Sequence, residues 1–208
     1  MFANSSTILS IYKSRKTMME LMQKLEYDST EYLNFSINEI NAMYVNNQLD
    51  LLLSHTTEPK KIYIKYYLYG KQIRSALDNI IEDLFEIEAV LTKNDTLVII
   101  VDEEPNETII NKITYLFENN GIFIVIHNIK RLQFNILNHT LIPDVAILKE
   151  KEVDELKIKY NFTLMKQLPE ISRFDPLALA VHLKPGQVVK LTRKSPTAVD
   201  CIFYRYCI

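Results

Sequence analysis

The most constraining feature of the sequence is a strand–helix–strand pattern between residues 96 and 126. Two strand-like segments, residues 96–101, apolar from residue 97 onward, and residues 122–126, apolar throughout, flank a helical pattern over residues 106–119. Asn106 is a suitable N-cap, and Gly121 suits the left-handed position that follows a helix. Fully apolar strands joined through a helix are typically parallel and buried on both faces, so the pattern predicts an α/β domain.

Apolar periodicity predicts the other elements of this domain. The three-to-four spacing of amphipathic helices covers residues 6–25, 36–46 and 71–91. Strands are predicted over residues 49–53 and 61–69, and a hairpin around residues 56–59 joins them. These helices and strands extend the central unit within one domain.

Charge and proline content both change near residue 139. Residues 1–138 contain 13 basic and 18 acidic residues, whereas residues 139–208 contain 11 basic and 8 acidic residues. Five of the seven prolines lie in the second part, which indicates short elements joined by fixed turns. We therefore expect two domains, 1–138 and 139–208.

Local signals predict short elements in the second domain. A helix is expected over residues 149–160, and Asp175 and Pro176 supply the N-cap and first residue of a second, short helix. A turn at residues 184–187 carries Pro and then Gly at its centre. The segments predicted to be extended are residues 144–148, 188–192 and 201–208.

Composition argues against several functions. With 24 basic and 26 acidic residues, the chain is not expected to coat nucleic acid by bulk electrostatics. Its longest apolar runs reach about a quarter of the ~20 residues that a membrane helix needs, so no membrane partner is expected. The sequence has no glycine-rich phosphate loop, and its four histidines are scattered, so we expect neither a cofactor nor a metal site.

One set of residues matches a nuclease pattern in part. Metal-dependent nucleases of the restriction-enzyme type carry two acids and a lysine on neighbouring strands, and Asp50 and Lys65 occupy the first and last of these positions. The middle position is Tyr63, and a neutral phenol cannot replace a metal-binding carboxylate. We expect Asp50 at a strand edge, Lys65 in solvent and no catalytic residue, with a metal-dependent nuclease as the alternative.

An acidic loop, residues 102–105, follows a predicted central strand at the end where α/β folds bind ligands. Adjacent acids at this place can hold Mg²⁺, but they more commonly lie in a solvated loop. We expect the solvated loop.

Basic and aromatic residues are interleaved near the end of the chain. They are Lys184, Lys190, Arg193, Lys194, Phe203, Tyr204, Arg205 and Tyr206. Such a face can bind RNA through phosphate contacts and stacking, or it can be half of a protein–protein interface. Composition does not decide between a free-standing RNA-binding module and an interface.

Four motifs in the second domain resemble a known family. Residues 139–143 (HTLIP), 164–169 (LMKQLP) and 184–190 (KPGQVVK), together with the Asp-Pro pair at 175–176, resemble the C-terminal assembly domain of the fifth-largest subunit of eukaryotic RNA polymerases, whose archaeal counterpart lacks the N-terminal domain. Residues 12–19 (YKSRKTMM) resemble the opening helix of the eukaryotic subunit. The resemblance therefore covers most of the chain.

The resemblance implies an α/β N-terminal jaw domain with an inactive nuclease-like core and a small α+β C-terminal domain. The C-terminal domain would dock on the largest polymerase subunit, and the jaw would lie near downstream duplex DNA. The residues expected to contact the polymerase are His139, Leu141, Pro143, Gly186, Gln187, Arg193, Tyr204 and Arg205. Those expected near DNA are Pro105, Asn106 and Lys112. The resemblance implies no catalytic residue, because catalytic Mg²⁺ chemistry belongs to the large subunits.

The chain also departs from the family pattern. The family has Gly-Arg-Tyr where this chain has residues 199–201, often has a histidine at Val145, and has a glycine at Phe174. The jaw loop carries acids where the family has Thr-Pro-Ser-Ala. These departures, and an abundance of residues with A/T-rich codons, suggest the polymerase of a large cytoplasmic DNA virus. The expected location is the host cytoplasm and virion for a viral polymerase, or the nucleus for a cellular one.

Overall fold

The computed structural model describes residues 5–68 and 73–208. The chain forms two compact units, residues 1–135 and 136–208, and each contains its own four-stranded sheet. This division lies a few residues before the boundary predicted from charge and proline content. Within the described ranges, no helix combines the length and the apolar character needed to cross a membrane.

Two helices open the N-terminal unit. Helix α1 (Ser5–Lys24) buries one side, which includes Ile11, Met18 and Met22. Helix α2 (Ile37–Val45) begins at a capping box, in which the Ser36 hydroxyl accepts the Glu39 amide and the Glu39 carboxylate accepts the Ser36 amide. Both helices lie where the apolar spacing predicts them.

The N-terminal sheet has the strand order β1-β2-β3-β4. Its strands are β1 (Leu51–Ser54), β2 (Lys61–Tyr67), β3 (Thr96–Val101) and β4 (Phe123–Asn128). Strands β1 and β2 form the predicted antiparallel hairpin, while β2, β3 and β4 run parallel. Every residue of β3 and β4 is buried, as expected of parallel strands covered on both faces.

The connecting helices are α3 (Ile73–Glu82) and α4 (Glu107–Asn120). The Asn106 side chain caps α4, and Gly121 follows it with φ +72°, so both predicted helix signals are confirmed. Helix α3 passes into a π-helical turn, Asp83–Ile87, and therefore ends before residue 91. The predicted end of the second strand and start of this helix fall on residues 69–72, which lie outside the described residues.

The segment before β3 is held by a buried carboxylate, that of Asp95. It accepts the Lys61 amide at 2.6 Å, and the amide and hydroxyl of Thr92 at 2.7 Å each. These bonds join the first residue of β2 to the turn that leads into β3, so Asp95 fixes where the two strands begin to pair.

The C-terminal unit combines a sheet of order β5-β7-β8-β6 with two helices. Its elements are β5 (Asp144–Ile147), α5 (Glu150–Tyr160), β6 (Glu170–Ile171), α6 (Pro176–Ala180), β7 (Val188–Ser195) and β8 (Val199–Cys207). Asp175 caps α6 and Pro176 is its first residue, as predicted. Strand β6 pairs parallel with β8 and has only two residues, too few for a periodic signal.

Replacing Asp95 with alanine tests its role. We expect Asp95→Ala to lower the free energy of unfolding by about 3 kcal/mol, because it leaves three donors without their acceptor. Urea unfolding followed by circular dichroism measures the change. Glu118→Ala, on the exposed side of α4, is the control and should change the free energy by less than ~0.5 kcal/mol. Equal unfolding midpoints for the two variants would contradict this role.

Candidate functional site

The two faces of the C-terminal sheet are covered differently. On one face, Val188 of β7 and Tyr204 and Tyr206 of β8 pack with Val153 and Leu156 of α5. The opposite face buries Val189, Leu191 and Cys207. The remaining exposed surface of the strands lies toward the connection between β7 and β8.

The predicted segment 139–143 forms an ordered turn before β5. The His139 carbonyl accepts the Ile142 amide at 2.9 Å, and its Nδ1 accepts the Leu141 amide at 3.2 Å. The turn leaves Leu141 81% exposed. Because Asp144 pairs with Thr192, the adjoining Pro143 lies at the same end of the sheet as Arg193.

Gly186 and Gln187 build the turn at the opposite end of β7. Gly186 has φ +91° and donates its amide to the Cys207 carbonyl at 3.0 Å. The Gln187 side-chain oxygen accepts the Lys184 amide at 2.8 Å, and the Gln187 backbone carbonyl accepts the Cys207 amide at 2.9 Å. These two predicted contact residues therefore fix the start of β7 against the end of β8.

The remaining predicted contact residues have partners within the unit. The Arg193 guanidinium lies 5.8 Å from the centre of the Phe203 ring, and Tyr204 packs edge-on against Tyr160 with ring centres 5.8 Å apart. Arg205 donates from Nη1 to the Glu170 carbonyl at 3.1 Å and so binds β6 to β8. Arg193 stays exposed at the end of the sheet near Pro143.

Three exposed apolar residues of β8 were not among the predicted contacts. Val199, Ile202 and Phe203 are 78%, 47% and 44% exposed. They lie at the same end of the sheet as Leu141 and Arg193, since Arg193 pairs with Cys201. Their apolar character was visible in the sequence, but their exposure was not, because exposure depends on how much of each sheet face the rest of the unit covers.

In the N-terminal unit, the partial nuclease pattern does form a cluster. The Asp50 carboxylate accepts the Tyr63 hydroxyl at 3.2 Å, the Lys65 ammonium at 3.3 Å and the Tyr66 amide at 3.0 Å. Lys65 is thus half-buried and paired with Asp50, rather than solvated as expected. The three positions of the nuclease pattern, Asp50, Tyr63 and Lys65, are therefore in contact. The Asp50 carboxylate binds donors of the chain itself.

The chemistry of this cluster does not favour a metal. Burial and the adjacent Asp50 carboxylate raise the pKa of the Tyr63 hydroxyl well above its usual value, so the phenol stays a proton donor. A protonated phenol adds no negative charge to attract a divalent cation. Across residues 5–68 and 73–208, no three His, Cys, Asp or Glu side chains are grouped as metal ligands.

The acidic loop after β3 is paired with nearby cations. Asp102 lies 3.8 Å from the Lys130 ammonium, and Glu104 accepts from Arg131 at 3.0 Å. Of the residues expected near DNA, Asn106 caps α4, Pro105 is half-buried, and Lys112 pairs with Asp78. Lys112, Lys130 and Arg131 therefore each lie beside a carboxylate.

Comparisons with known proteins concern the C-terminal unit. The family described as "RNA polymerase Rpb5, C-terminal domain" matches residues 134–207. The chain is similar to the DNA-directed RNA polymerase subunit Rpo5 of Thermococcus kodakarensis, with 43% identity over 76 residues, 36% of this chain and 92% of the relative. It is also similar to the Rpo5 subunits of Methanococcoides burtonii, 41% identical over 36% of this chain and 96% of the relative, and of Archaeoglobus fulgidus, 39% identical over 37% of this chain and 100% of the relative.

Removing the Asp50 carboxylate separates a structural role from a catalytic one. We expect Asp50→Ala to lower the free energy of unfolding by about 1–3 kcal/mol, because the Tyr63 hydroxyl, the Tyr66 amide and Lys65 lose their acceptor. DNA cleavage in Mg²⁺ should stay at background for both the wild-type chain and the variant. Mg²⁺-dependent cleavage by the homogeneous wild-type chain that Asp50→Ala abolishes would instead establish a nuclease.

Proposed function

The chain belongs to the Rpb5/Rpo5 family of RNA polymerase subunits, and from this membership we propose that it is a non-catalytic subunit of a multisubunit DNA-dependent RNA polymerase. The observation that carries the proposal is the family match over residues 134–207, together with alignments of 76 and 77 residues that cover 92% and 100% of two archaeal relatives. That segment coincides with the compact unit 136–208. The unit thus contains what this chain shares with known polymerase subunits.

We infer that the C-terminal unit docks on the largest polymerase subunit. The archaeal relatives consist almost wholly of the matched segment, so the features needed for assembly are expected within it. The exposed end of its sheet offers Leu141, Arg193 and Phe203, a combination of apolar surface and cation that is typical of protein interfaces.

Two observations disfavour the alternative of a free-standing RNA-binding module. Tyr204 packs edge-on against Tyr160, and Tyr206 packs with Val153 and Leu156 of α5. Stacking of RNA bases needs open ring faces beside the cations. The nuclease alternative lacks support because Tyr63 stands where a second carboxylate is required.

For the N-terminal unit, we propose the role of a jaw near downstream DNA that depends on the polymerase to hold it there. Its own charge is unfavourable for DNA, with 13 basic against 18 acidic residues up to residue 138. Tethering within a complex raises the local DNA concentration to roughly millimolar, so a weakly binding surface can still make contact.

Association should depend on the turn at Gly186. We expect Gly186→Val to weaken recovery of the largest polymerase subunit with the tagged full chain, because a β-branched residue is strained at φ +91°. Gly121→Val is the matched control, since Gly121 has φ +72° and both glycines have open space around an added Cβ. Quantitative mass spectrometry of the purified complex measures recovery.

The outcomes for the turn variants are distinct. The control should destabilise only the N-terminal unit and leave recovery unchanged. Weaker recovery with Gly121→Val than with Gly186→Val would show that the N-terminal unit makes the main attachment. Failure of the wild-type chain to recover any polymerase subunit would refute the proposed function itself.

DNA binding by the free chain should be weak. We expect a Kd above about 1 μM at physiological salt and a shallow salt dependence, because Lys112, Lys130 and Arg131 are paired with carboxylates. Titration of labelled duplex at several salt concentrations measures both quantities. The double variant Asp102→Asn, Glu104→Gln frees two of these cations and should steepen the salt slope by about 1–2. Submicromolar binding with a steep slope in the wild-type chain would contradict the expectation.

A further inference from the structure

The connection between β7 and β8 is a short and well-fixed turn. Ser195 pairs with Val199, so only residues 196–198 separate the two strands. The Ser195 hydroxyl accepts the amides of Thr197 and Ala198, each at 3.4 Å, and Pro196 restricts the backbone further. The residue that follows this turn is therefore reached through a short, proline-containing connection.

That residue, Val199, has an unfavourable backbone conformation. Its φ is +61°, and the Asp200 amide donates to the Ala198 carbonyl at 2.6 Å, which closes a γ-turn centred on Val199. Hairpins with three-residue connections usually place glycine at the left-handed position, because a side chain crowds the backbone there. A β-branched residue with positive φ is an outlier, and such strain is concentrated at functional sites.

Burial does not compensate for the strain at Val199. Its side chain is 78% exposed in the described structure. Alternation along β8 puts it on the same face as Cys201 and Phe203, and beside Arg193 of the neighbouring strand. Within the described residues, neither Arg193 nor Lys194 forms an ion pair with a carboxylate. Lys194 lies on the opposite face of the strand, across from Asp200, so the turn displays an apolar side chain next to one cation, Arg193, that has no carboxylate partner there.

We propose that Val199 is an apolar anchor that inserts into a pocket on another polymerase subunit, beside an acidic group that pairs with Arg193. This inference rests on the proposed function and adds a specificity-determining residue to it. In the free chain, both the strain and the exposure of Val199 are unfavourable, and burial in a partner offsets them. The fixed turn also reduces the ordering cost of association.

The chemistry favours a protein partner other than a second copy of this chain. An aliphatic side chain provides no contact to phosphate, which disfavours nucleic acid at this position. A two-fold contact between copies would bring the same surface together and place Arg193 near its own counterpart. Like charges at such close approach oppose association, whereas an acidic partner surface favours it.

Two substitutions test the anchor. Each is expected to keep or raise the stability of the chain and to lower its affinity for the polymerase. Val199→Gly and Val199→Asn both suit a positive φ, so the purified full chain should keep or raise its unfolding temperature. Both remove the apolar side chain, so affinity for the polymerase should fall about tenfold. Affinity is measured by titrating the labelled full chain into polymerase that lacks this subunit.

A matched control separates strain from contact. Ala89 is exposed and has φ +49° in the N-terminal unit, so Ala89→Gly relieves a comparable conformation without touching the proposed anchor. It should leave the affinity for the polymerase unchanged. The expected pattern is therefore a selective loss of affinity in the two Val199 variants, with no loss of thermal stability.

One outcome is that the polymerase binds the wild-type chain and both Val199 variants with equal affinity. That result would overturn the proposed anchor and leave the proposed function standing. Absence of binding by the wild-type chain would refute both. Sedimentation of the free chain supplies the third outcome. A wild-type dimer that Val199→Gly converts to a monomer would show that a second copy is the occupant, and it too would overturn the proposal.

Discussion

The C-terminal unit depends on the antiparallel pairing of β7 with β8, which runs from Val188 opposite Tyr206 to Ser195 opposite Val199. Helix α5 packs on one face of this ribbon, and the edge strands β5 and β6 pair with its two sides. The turns at the two ends of the β7–β8 ribbon both contain a residue with positive φ, but they use different residue types. The turn at residues 184–187 places a glycine at positive φ, whereas the hairpin connection places Val199 there. Of these two turns, the one with a β-branched residue at positive φ is therefore the one that lies beside the exposed apolar residues.

Much of this architecture could be predicted from local sequence because each signal had a local physical cause. The apolar runs of β3 and β4, the Asn106 cap and Gly121 specify a strand, a helix and a second strand with little help from the rest of the chain. The extent of α3 could not be predicted in the same way. Its apolar spacing continues past residue 82, but the backbone widens into a π-helical turn. Strand β6 was missed because its two residues are positioned only by pairing with β8.

At the candidate sites, residue types could be interpreted from the sequence, but the contacts between them could not. The identity of Tyr63 was enough to argue against a two-carboxylate metal site. Only the structure shows that its hydroxyl, the Lys65 ammonium and the Tyr66 amide all donate to the Asp50 carboxylate. Likewise, counting charges gave the excess of acids in the N-terminal part, but pairing decides which charges are available. Each of Lys112, Lys130 and Arg131 lies beside a carboxylate from a distant segment, which sequence spacing could not reveal.

Several predicted contact residues have structural roles that shape the surface on which any partner would bind. Gly186, Gln187 and Arg205 hold the strands of the C-terminal sheet together, so substitutions there change association through the shape of the unit. Leu141 and Val199 are different, because both are exposed and little in the described unit gains from their side chains. Shared features of the family can therefore lie in the residues that build the sheet, while partner choice lies in the side chains displayed at its end. A side chain that determines partner choice is expected to face solvent and to lower the stability of the free chain. Val199 has both properties.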